Sequence, residues 1–371
     1  MKLVTIVGTR PELIRLSRII NEADKYFDHI LVHTGQNYDK QLNDIFFDEM
    51  KIRKPDYYLN VVGNNLGETM GNVISKSYDL FVKLMPDCLL ILGDTNSALC
   101  AISAKRLKIP IFHMEAGNRC FDLNVPEEIN RKIVDHISDV NLPYTENSRR
   151  YLLDEGVHGK YVFVTGTPLM EVLEYYKNDI LNSNILNKLE LKEKQYILLS
   201  CHREENIDID KNFNELLSSL EAVCDKYNVP IIFSTHPRTK KKLQKNNVSL
   251  HPLIRSVEPF GFFDYCNLQL NALCVLSDSG SLSEEASILN FPAVSFRTST
   301  ERPEALDKGN IIIGNIKAQN VIDSINISIK MFDKSKNIKS LDYTDSNVSE
   351  KVIKIIQSYT PIINKTVWYK N

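Results

Sequence analysis

Short apolar runs alternate with amphipathic stretches along most of the chain. The first series of runs is Leu3 to Val7, Ile30 to His33, Cys88 to Leu92, Ile109 to His113, Val140 to Leu142 and Val162 to Thr165. A second series follows: Tyr196 to Ser200, Pro230 to Ser234, Leu273 to Leu276, Ala293 to Phe296 and Ile311 to Ile313. Continuous apolar runs of this length predict parallel strands buried on both faces. The stretches between them read as helices. Leu13, Ile14, Leu16, Ile19 and Ile20 form one stripe behind Pro11, a good first-turn residue. Pro126-Glu127-Glu128 opens another helix, with Ile129, Ile133, Val134 and Ile137 expected on its apolar face. Strands alternating with helices give an α/β class with parallel sheets.

The alternation pauses between residues 168 and 195, a polar stretch rich in Asn, Lys, Glu and Leu. It reads as a helical connection between two doubly wound halves. A terminal helix is predicted from Ser349 to Tyr359. The expected division is residues 1–168, then 169–349, with a C-terminal helix over about 350–371. A length of 371 residues exceeds what one growing core accommodates, which agrees with two domains.

Composition narrows the function classes. The chain is 43% hydrophobic and 25% charged, with 45 Lys and Arg against 47 Asp and Glu, a net charge of -2. That balance argues against a nucleic-acid partner, which calls for a basic excess. The seven Cys form no CxxC pair and have mostly apolar neighbours, so they read as buried reduced thiols. The N-terminal MKLVTIVGTRPE reads as a strand and turn rather than a signal peptide, and no run reaches the ~18 apolar residues of a membrane helix. A cytoplasmic protein with no membrane partner is expected.

In open parallel sheets, ligands bind beyond the carboxyl ends of the strands. Those ends carry Gly8-Thr9-Arg10-Pro11-Glu12, Gly93-Asp94-Thr95 and His113-Met114-Glu115-Ala116-Gly117-Asn118-Arg119 in the first half. The second half offers Cys201-His202-Arg203-Glu204-Glu205-Asn206, Thr235-His236-Pro237-Arg238 and Ser277-Asp278-Ser279-Gly280-Ser281. Polar residues gathered at one end of every strand predict a site in a cleft between the two domains. Ser279, Gly280 and Ser281 lie just before a helix start, where backbone amides attract phosphate. Asp94, Glu115 and Glu127 are candidate proton-transfer acids; Glu127 and Arg131 are also spaced for an ion pair along one helix. His202, His236, Arg10, Arg15 and Arg302 are candidates for an anionic ligand. No dinucleotide fingerprint, P-loop or metal-ligand spacing is present, so no cofactor and no metal are expected.

Seven segments together resemble the non-hydrolysing UDP-N-acetylglucosamine 2-epimerase family. They are Gly8-Thr9-Arg10-Pro11-Glu12, Gly93-Asp94-Thr95, Met114-Glu115-Ala116-Gly117, Pro126-Glu127-Glu128-Ile129-Asn130-Arg131, His202-Arg203-Glu204-Glu205-Asn206, Asp278-Ser279-Gly280 and Thr300-Glu301-Arg302-Pro303-Glu304. The likeness runs from residue 2 to about 310. It implies the two-Rossmann-domain architecture of GT-B glycosyltransferases, a homodimer, a C-terminal helix packed back on the first domain, and a UDP-sugar substrate. It implies catalytic roles for Asp94, Glu115, Glu127 and His202. It implies substrate binding by Arg10, Ser279, Gly280, Glu285 and Arg302, with Glu285 on the ribose and Phe262 or Tyr265 on the uracil. Arg15, Arg131, His236 and Ser281 are further substrate-binding candidates, although many family members have Lys at position 15 and Gly at position 281.

Within the family, MEAGNRCFD at 114–122, PFGFFDY at 259–265 and CHREEN at 201–206 resemble a subgroup. Those enzymes make UDP-N-acetyl-L-fucosamine from UDP-2-acetamido-2,6-dideoxy-L-talose for capsule and O-antigen polysaccharide. Many other members have MEAGLRT, so Asn118 and Cys120 mark the difference. The alternatives are conversion of UDP-N-acetylglucosamine to UDP-N-acetylmannosamine, a hydrolysing epimerase, a GT-B glycosyltransferase and a non-catalytic UDP-sugar sensor.

Overall fold

The structure, a computed structural model, describes residues 1–36, 47, 49–336 and 340–370. Asn371, the expected last residue of the terminal helix, and residues 337–339 of the polar stretch before it lie outside the described residues. The chain divides into two compact units, Met1–Tyr175 with Thr344–Asn371, and Tyr176–Tyr343.

The first unit holds a six-stranded parallel sheet. Its strands are β1 (Lys2–Val7), β2 (Asp28–His33), β3 (Tyr57–Tyr58), β4 (Cys88–Leu92), β5 (Ile111–Met114) and β6 (Val140–Leu142). They lie in the order β3-β2-β1-β4-β5-β6. The second unit repeats the plan with β7 (Ile197–Ser200), β8 (Ile231–Ser234), β9 (Ile254–Val257), β10 (Cys274–Ser277), β11 (Ala293–Ser295) and β12 (Ile312–Ile313). Read from β9, the order is β9-β8-β7-β10-β11-β12, the same winding as in the first sheet. The class is therefore α/β, with two doubly wound Rossmann-like sheets. Each sheet reverses direction once, between β1 and β4 and between β7 and β10. Those reversals open the crevices where such sheets take ligands.

Burial explains why these strands form. All five side chains of β4 are buried, and Val4, Ile6, Leu89, Ile91 and Ile111 share one core. Ile197, Leu199, Ile231, Phe233, Cys274 and Leu276 do the same in the second unit. The seven cysteines are buried and unpaired by disulfides. The terminal helix, Val348–Thr366, contains Pro361, runs past Tyr359 and packs on the helix Arg10–Tyr26.

Two local expectations are corrected. The run Val162 to Thr165 is not a full strand, since Val162 meets Asn141 through a single bridge. Phe163 and Thr165 then donate single N–H bonds to Asn141 and Pro143. The helix Pro126–Ile137 buries only part of the face predicted for it: Val134 and Ile137 pack on the core. Ile129 and Ile133 are 51% and 39% exposed, whereas Glu128, Asn130, Arg131, Val134 and Asp135 are buried. The buried polar groups find partners in neighbouring loops, and those bonds outweigh the apolar pattern.

Candidate active site

The first crevice is built by the turns after β1 and β4. Glu12 closes a capping box on the helix Arg10–Tyr26, with Oε2 accepting from Gly8 N at 2.6 Å and Thr9 N at 3.4 Å. Its other oxygen, Oε1, accepts from Thr95 Oγ1 at 2.7 Å. Burial pushes the Glu12 carboxyl up to about 7, against the opposing hydrogen bonds from Thr95 and Gly8. Gly8 is required there: a Cβ would lie 1.9 Å from Ser97 Oγ and 2.4 Å from Thr34 Oγ1. Arg10 begins the helix half-buried. Arg15 lies deeper, 6% exposed, with its guanidinium 5.8 Å from the Tyr144 ring centre.

Asp94 follows Gly93, whose φ is +74°. Its carboxylate pairs with Arg131 Nη2 at 2.7 Å, and Asn130 Nδ2 donates to its backbone oxygen at 3.0 Å. Arg131 is buried and also donates from Nη1 to Glu128 Oε2 at 3.1 Å. The surface pair that the Glu127–Arg131 spacing allowed is thus replaced by a buried link between Arg131, Asp94 and Glu128. Glu128, fully buried, also accepts from the backbone N–H groups of Cys120 at 3.1 Å and Phe121 at 3.3 Å. Glu127 is half-buried in the first turn of the same helix.

Glu115 caps β5 with φ +64°, a left-handed conformation that non-glycine residues rarely hold. Its Oε1 accepts from Asn118 Nδ2 at 3.1 Å. The loop behind it is fixed from below. Asp135 accepts from Gly117 N at 3.1 Å and from Arg119 Nη1 at 2.7 Å. His113 Nε2 meets Gly93 O at 2.8 Å, and its Nδ1 lies 2.9 Å from Asp135. Asp94 and Glu115 therefore end adjacent strands, since Leu92 pairs with Met114 in the sheet register.

In the second unit, buried Asp278 organises the turn after β7. It accepts from His202 N at 3.0 Å, Arg203 N at 2.9 Å, Asn206 Nδ2 at 3.0 Å and Cys201 Sγ at 2.9 Å. Burial alone raises this carboxyl. The electrostatic pull of neighbouring His202 and the donated hydrogen bonds outweigh it and hold Asp278 below its usual range. The His202 side chain remains 44% exposed, with Nδ1 3.4 Å from Asp278. His236 stacks near it at 6.1 Å between ring centres, and its Nδ1 accepts from Arg238 N at 3.3 Å, capping the helix Pro237–Lys245.

Ser279, Gly280 and Ser281 precede the helix Leu282–Leu289, with the Ser279 and Ser281 hydroxyls 3.0 Å apart. Arg297 and Arg203 lie beneath Gly280, 3.6 and 3.9 Å from where its Cβ would be. Arg297 is held by Glu301 in a two-point pair of 2.6 and 2.7 Å. Arg302 is buried against Glu284 at 2.6 Å. Glu285 is half-buried and accepts from Gln269 Nε2 at 2.5 Å. Phe262 opens the helix Phe262–Asn271 and is 7% exposed.

Asp94 and Glu115 are thus brought together at neighbouring strand ends of the first unit, and Glu127 lies on the same unit. His202, His236 and the Ser279–Ser281 turn are gathered on the second. Sequence reasoning gave no role to Glu12, Glu128 or Arg297. For Glu12, a signal was present in the Thr9-x-x-Glu12 spacing of a capping box. Among the described residues no three His, Cys, Asp or Glu side chains cluster as metal ligands. Nor is any helix among them long and apolar enough to cross a membrane.

A family profile for UDP-N-acetylglucosamine 2-epimerase matches residues 20–357. The UDP-N-acetylglucosamine 2-epimerase of Methanocaldococcus jannaschii is 36% identical over 367 residues, 96% of this chain and 99% of that protein. Its crystal structure in complex with UDP-GlcNAc and UDP matches this fold with a TM-score of 0.90. The structure of a UDP-N-acetylglucosamine 2-epimerase from Rickettsia bellii is 50% identical, covers 100% of both chains and gives a TM-score of 0.92. A Pseudomonas aeruginosa UDP-2,3-diacetamido-2,3-dideoxy-D-glucuronate 2-epimerase is 31% identical over 85% of this chain and 88% of its own length.

Proposed function

The chain belongs to the UDP-N-acetylglucosamine 2-epimerase family, and from that premise we propose that it inverts carbon 2 of a UDP-N-acetylhexosamine without a cofactor. The observation that carries the proposal is the pair of acids just beyond the ends of adjacent strands. Asp94 is held by Arg131, and Glu115 sits on a left-handed backbone beside Asn118.

The chemistry follows from the substrate. The hydrogen on carbon 2 has no adjacent carbonyl to make it acidic, so its removal must be coupled to departure of a leaving group. A carboxylate takes the proton, the C–H electron pair forms the carbon 1–carbon 2 double bond, and the carbon 1–oxygen pair leaves with UDP. Re-addition of UDP to carbon 1, with a proton delivered to the opposite face of carbon 2, completes the inversion. One face needs a base and the other an acid. Asp94, Glu115 and Glu127 are assigned to these two tasks. His202 is assigned to the diphosphate, where positive charge counts most as UDP departs. The Ser279-Gly280-Ser281 turn, Arg10, Arg15, Arg131, His236 and Arg302 are assigned to substrate binding. Glu285 is assigned to the ribose hydroxyls and Phe262 to the base. These few cations suffice for a dianionic ligand even in a chain of net charge -2.

Two substrates are in view. The names of the relatives favour UDP-N-acetylglucosamine, giving UDP-N-acetylmannosamine. The segment Met114 to Asp122 favours UDP-2-acetamido-2,6-dideoxy-L-talose, giving UDP-N-acetyl-L-fucosamine. Asn118, which bonds Glu115 directly, lies in that segment, and family members differ in the sugar they act on, as the Pseudomonas relative shows. Incubation with each sugar nucleotide in deuterium oxide, followed by NMR of the anomeric signals, tests both. The expected result is an epimer carrying deuterium at carbon 2 from one of the two. Product without deuterium rules out an exchangeable base, and no product from either rules out both substrates.

A further inference from the structure

We propose that Asn118 is a positioning residue for Glu115: its side-chain amide fixes the direction of the Glu115 carboxylate, and Ser148 in turn fixes the amide. The inference rests on the reading that Glu115 transfers the carbon-2 proton. A carboxylate only accepts hydrogen bonds, so the amide must present Nδ2 to Glu115, at 3.1 Å. Its opposite end, Oδ1, accepts from Ser148 Oγ at 3.0 Å. The Ser148 hydroxyl oxygen itself accepts from Thr145 Oγ1 at 3.1 Å, which leaves the Ser148 proton for Asn118. The donors therefore run one way, from Thr145 to Ser148 to Asn118 to Glu115.

The relay is rigid for two reasons. Thr145, Ser148 and Asn118 are 1%, 3% and 4% exposed, so water does not compete for their bonds. The relay also starts at a fixed point, because Thr145 Oγ1 caps the helix Glu146–Asp154 by accepting from Ser148 N at 3.1 Å. The Ser148 carbonyl oxygen approaches Gly117 to 2.3 Å from where a Cβ would lie, so the helix start and the loop that carries Glu115 are pressed together. The φ of +64° fixes the backbone of Glu115 but leaves its side-chain torsions free. The bond from Asn118 restricts those torsions. A proton transfer is sensitive to such aim, because small misplacements of the base cost large factors in rate.

The test compares Asn118→Leu, Asn118→Asp and Ser148→Ala with the wild type, using the sugar nucleotide that the wild type turns over and calorimetric titration with UDP. Leu has similar volume but no donor, and Asp has the same shape but repels the Glu115 carboxylate. The expected loss in kcat is about tenfold to a hundredfold for Leu, the size of one hydrogen bond to a charged group. A larger loss is expected for Asp, with KM and UDP affinity held within about twofold of wild type. A role in packing alone reverses the order, with Asp the milder change, and that order overturns the proposal. Should Asn118→Leu not fold, the Ser148→Ala protein decides, since unchanged kcat there sinks the relay. Glu115→Gln is run alongside. If it keeps full turnover, the role of Glu115 is wrong. If it is inactive while Asn118→Leu runs at full speed, only the relay is wrong.

Discussion

Glu12 at the start of the helix after β1 accepts a 2.7 Å hydrogen bond from Thr95 just after β4, so one buried carboxyl ties together the two strands where the first sheet reverses. Asp278 does the equivalent in the second unit, reaching from the end of β10 to the amides after β7. Each crevice is thus closed by an acid. The two acids are shifted in opposite directions because their donors differ. Glu12 receives the amides of Gly8 and Thr9 and the hydroxyls of Thr9 and Thr95, with no cation among them, and burial wins. Asp278 faces a histidine and four donors, and the donors win.

The Glu12 shift has a signature in stability. Its ordinary value is 4.5 and its folded value about 7. Between those pH values the native protein keeps a proton that the unfolded chain releases. The stability it confers is therefore fully present below pH 4.5 and is lost as pH rises through about 7. The gap corresponds to roughly 3 kcal/mol. Glu12→Gln lacks this dependence. Urea denaturation at pH 5 and pH 8 should show the wild type losing ground to the variant by roughly that amount, the other titrating groups cancelling. Parallel behaviour of the two proteins at both pH values contradicts the buried, half-protonated state.

Removing a proton-transfer acid should separate chemistry from binding. Glu115→Gln and Asp94→Asn are expected to lower epimerisation by at least about a hundredfold. UDP affinity should stay near wild type, because both variants keep the cations and the Ser279–Ser281 turn assigned to the ligand. Turnover assays and UDP titration on the same preparations check this. Either variant turning over at a near-normal rate removes that residue from the proposed chemistry. Asp94→Asn carries an extra cost, since it also takes the 2.7 Å partner from Arg131.

Much of this was legible in the chain because burial on both faces leaves a continuous apolar record, as in β4. β9 left none: Arg255 and Ser256 are exposed on an edge strand, and the pattern reads as polar. Val162 to Thr165 erred the other way, an apolar run that reaches only a single bridge. The placement of Asp94, Glu115 and His202 was legible because they sit where strands end. The support beneath them was not, because it depends on partners distant in sequence. Arg131 reaches Asp94 across 37 positions, and Asn118 meets Ser148 across 30. Ile129 and Ile133 misled for the same reason, since the face opposite them is buried by bonds that no local pattern announces.

Gly117 should tolerate no side chain. Its φ is +78°, and a Cβ would lie 2.3 Å from the Ser148 carbonyl oxygen and 2.9 Å from the Leu152 side chain. A backbone oxygen at a helix start does not yield cheaply. Gly117→Ala is expected to destabilise the protein by at least about 2 kcal/mol and to lower kcat by displacing Glu115 and Asn118. Thermal unfolding and turnover measure the two effects. A melting temperature unchanged from wild type would mean that the loop relaxes freely, and the close packing of loop and helix start would then be incorrect.

Asp278→Asn should damage the second unit in a way that depends on pH. The carboxylate accepts from two backbone amides, the Asn206 amide and the Cys201 thiol, and it is fully buried. Asparagine keeps one oxygen and turns an NH2 toward groups that also donate, leaving buried donors unpaired. A loss of about 2–3 kcal/mol at pH 7 follows. Because the folded carboxyl lies below its ordinary 3.8, its stabilisation is present above that value and lost as pH falls through the lower folded one. Wild type and variant should therefore differ most at neutral pH and converge in acid. His202 hangs from the same turn, so UDP affinity should fall roughly tenfold at pH 7 even in the folded fraction. Denaturation curves from pH 3 to 7, with UDP titration at pH 7, separate these effects. A constant difference in stability across that range would show that Asp278 acts by shape and not by charge.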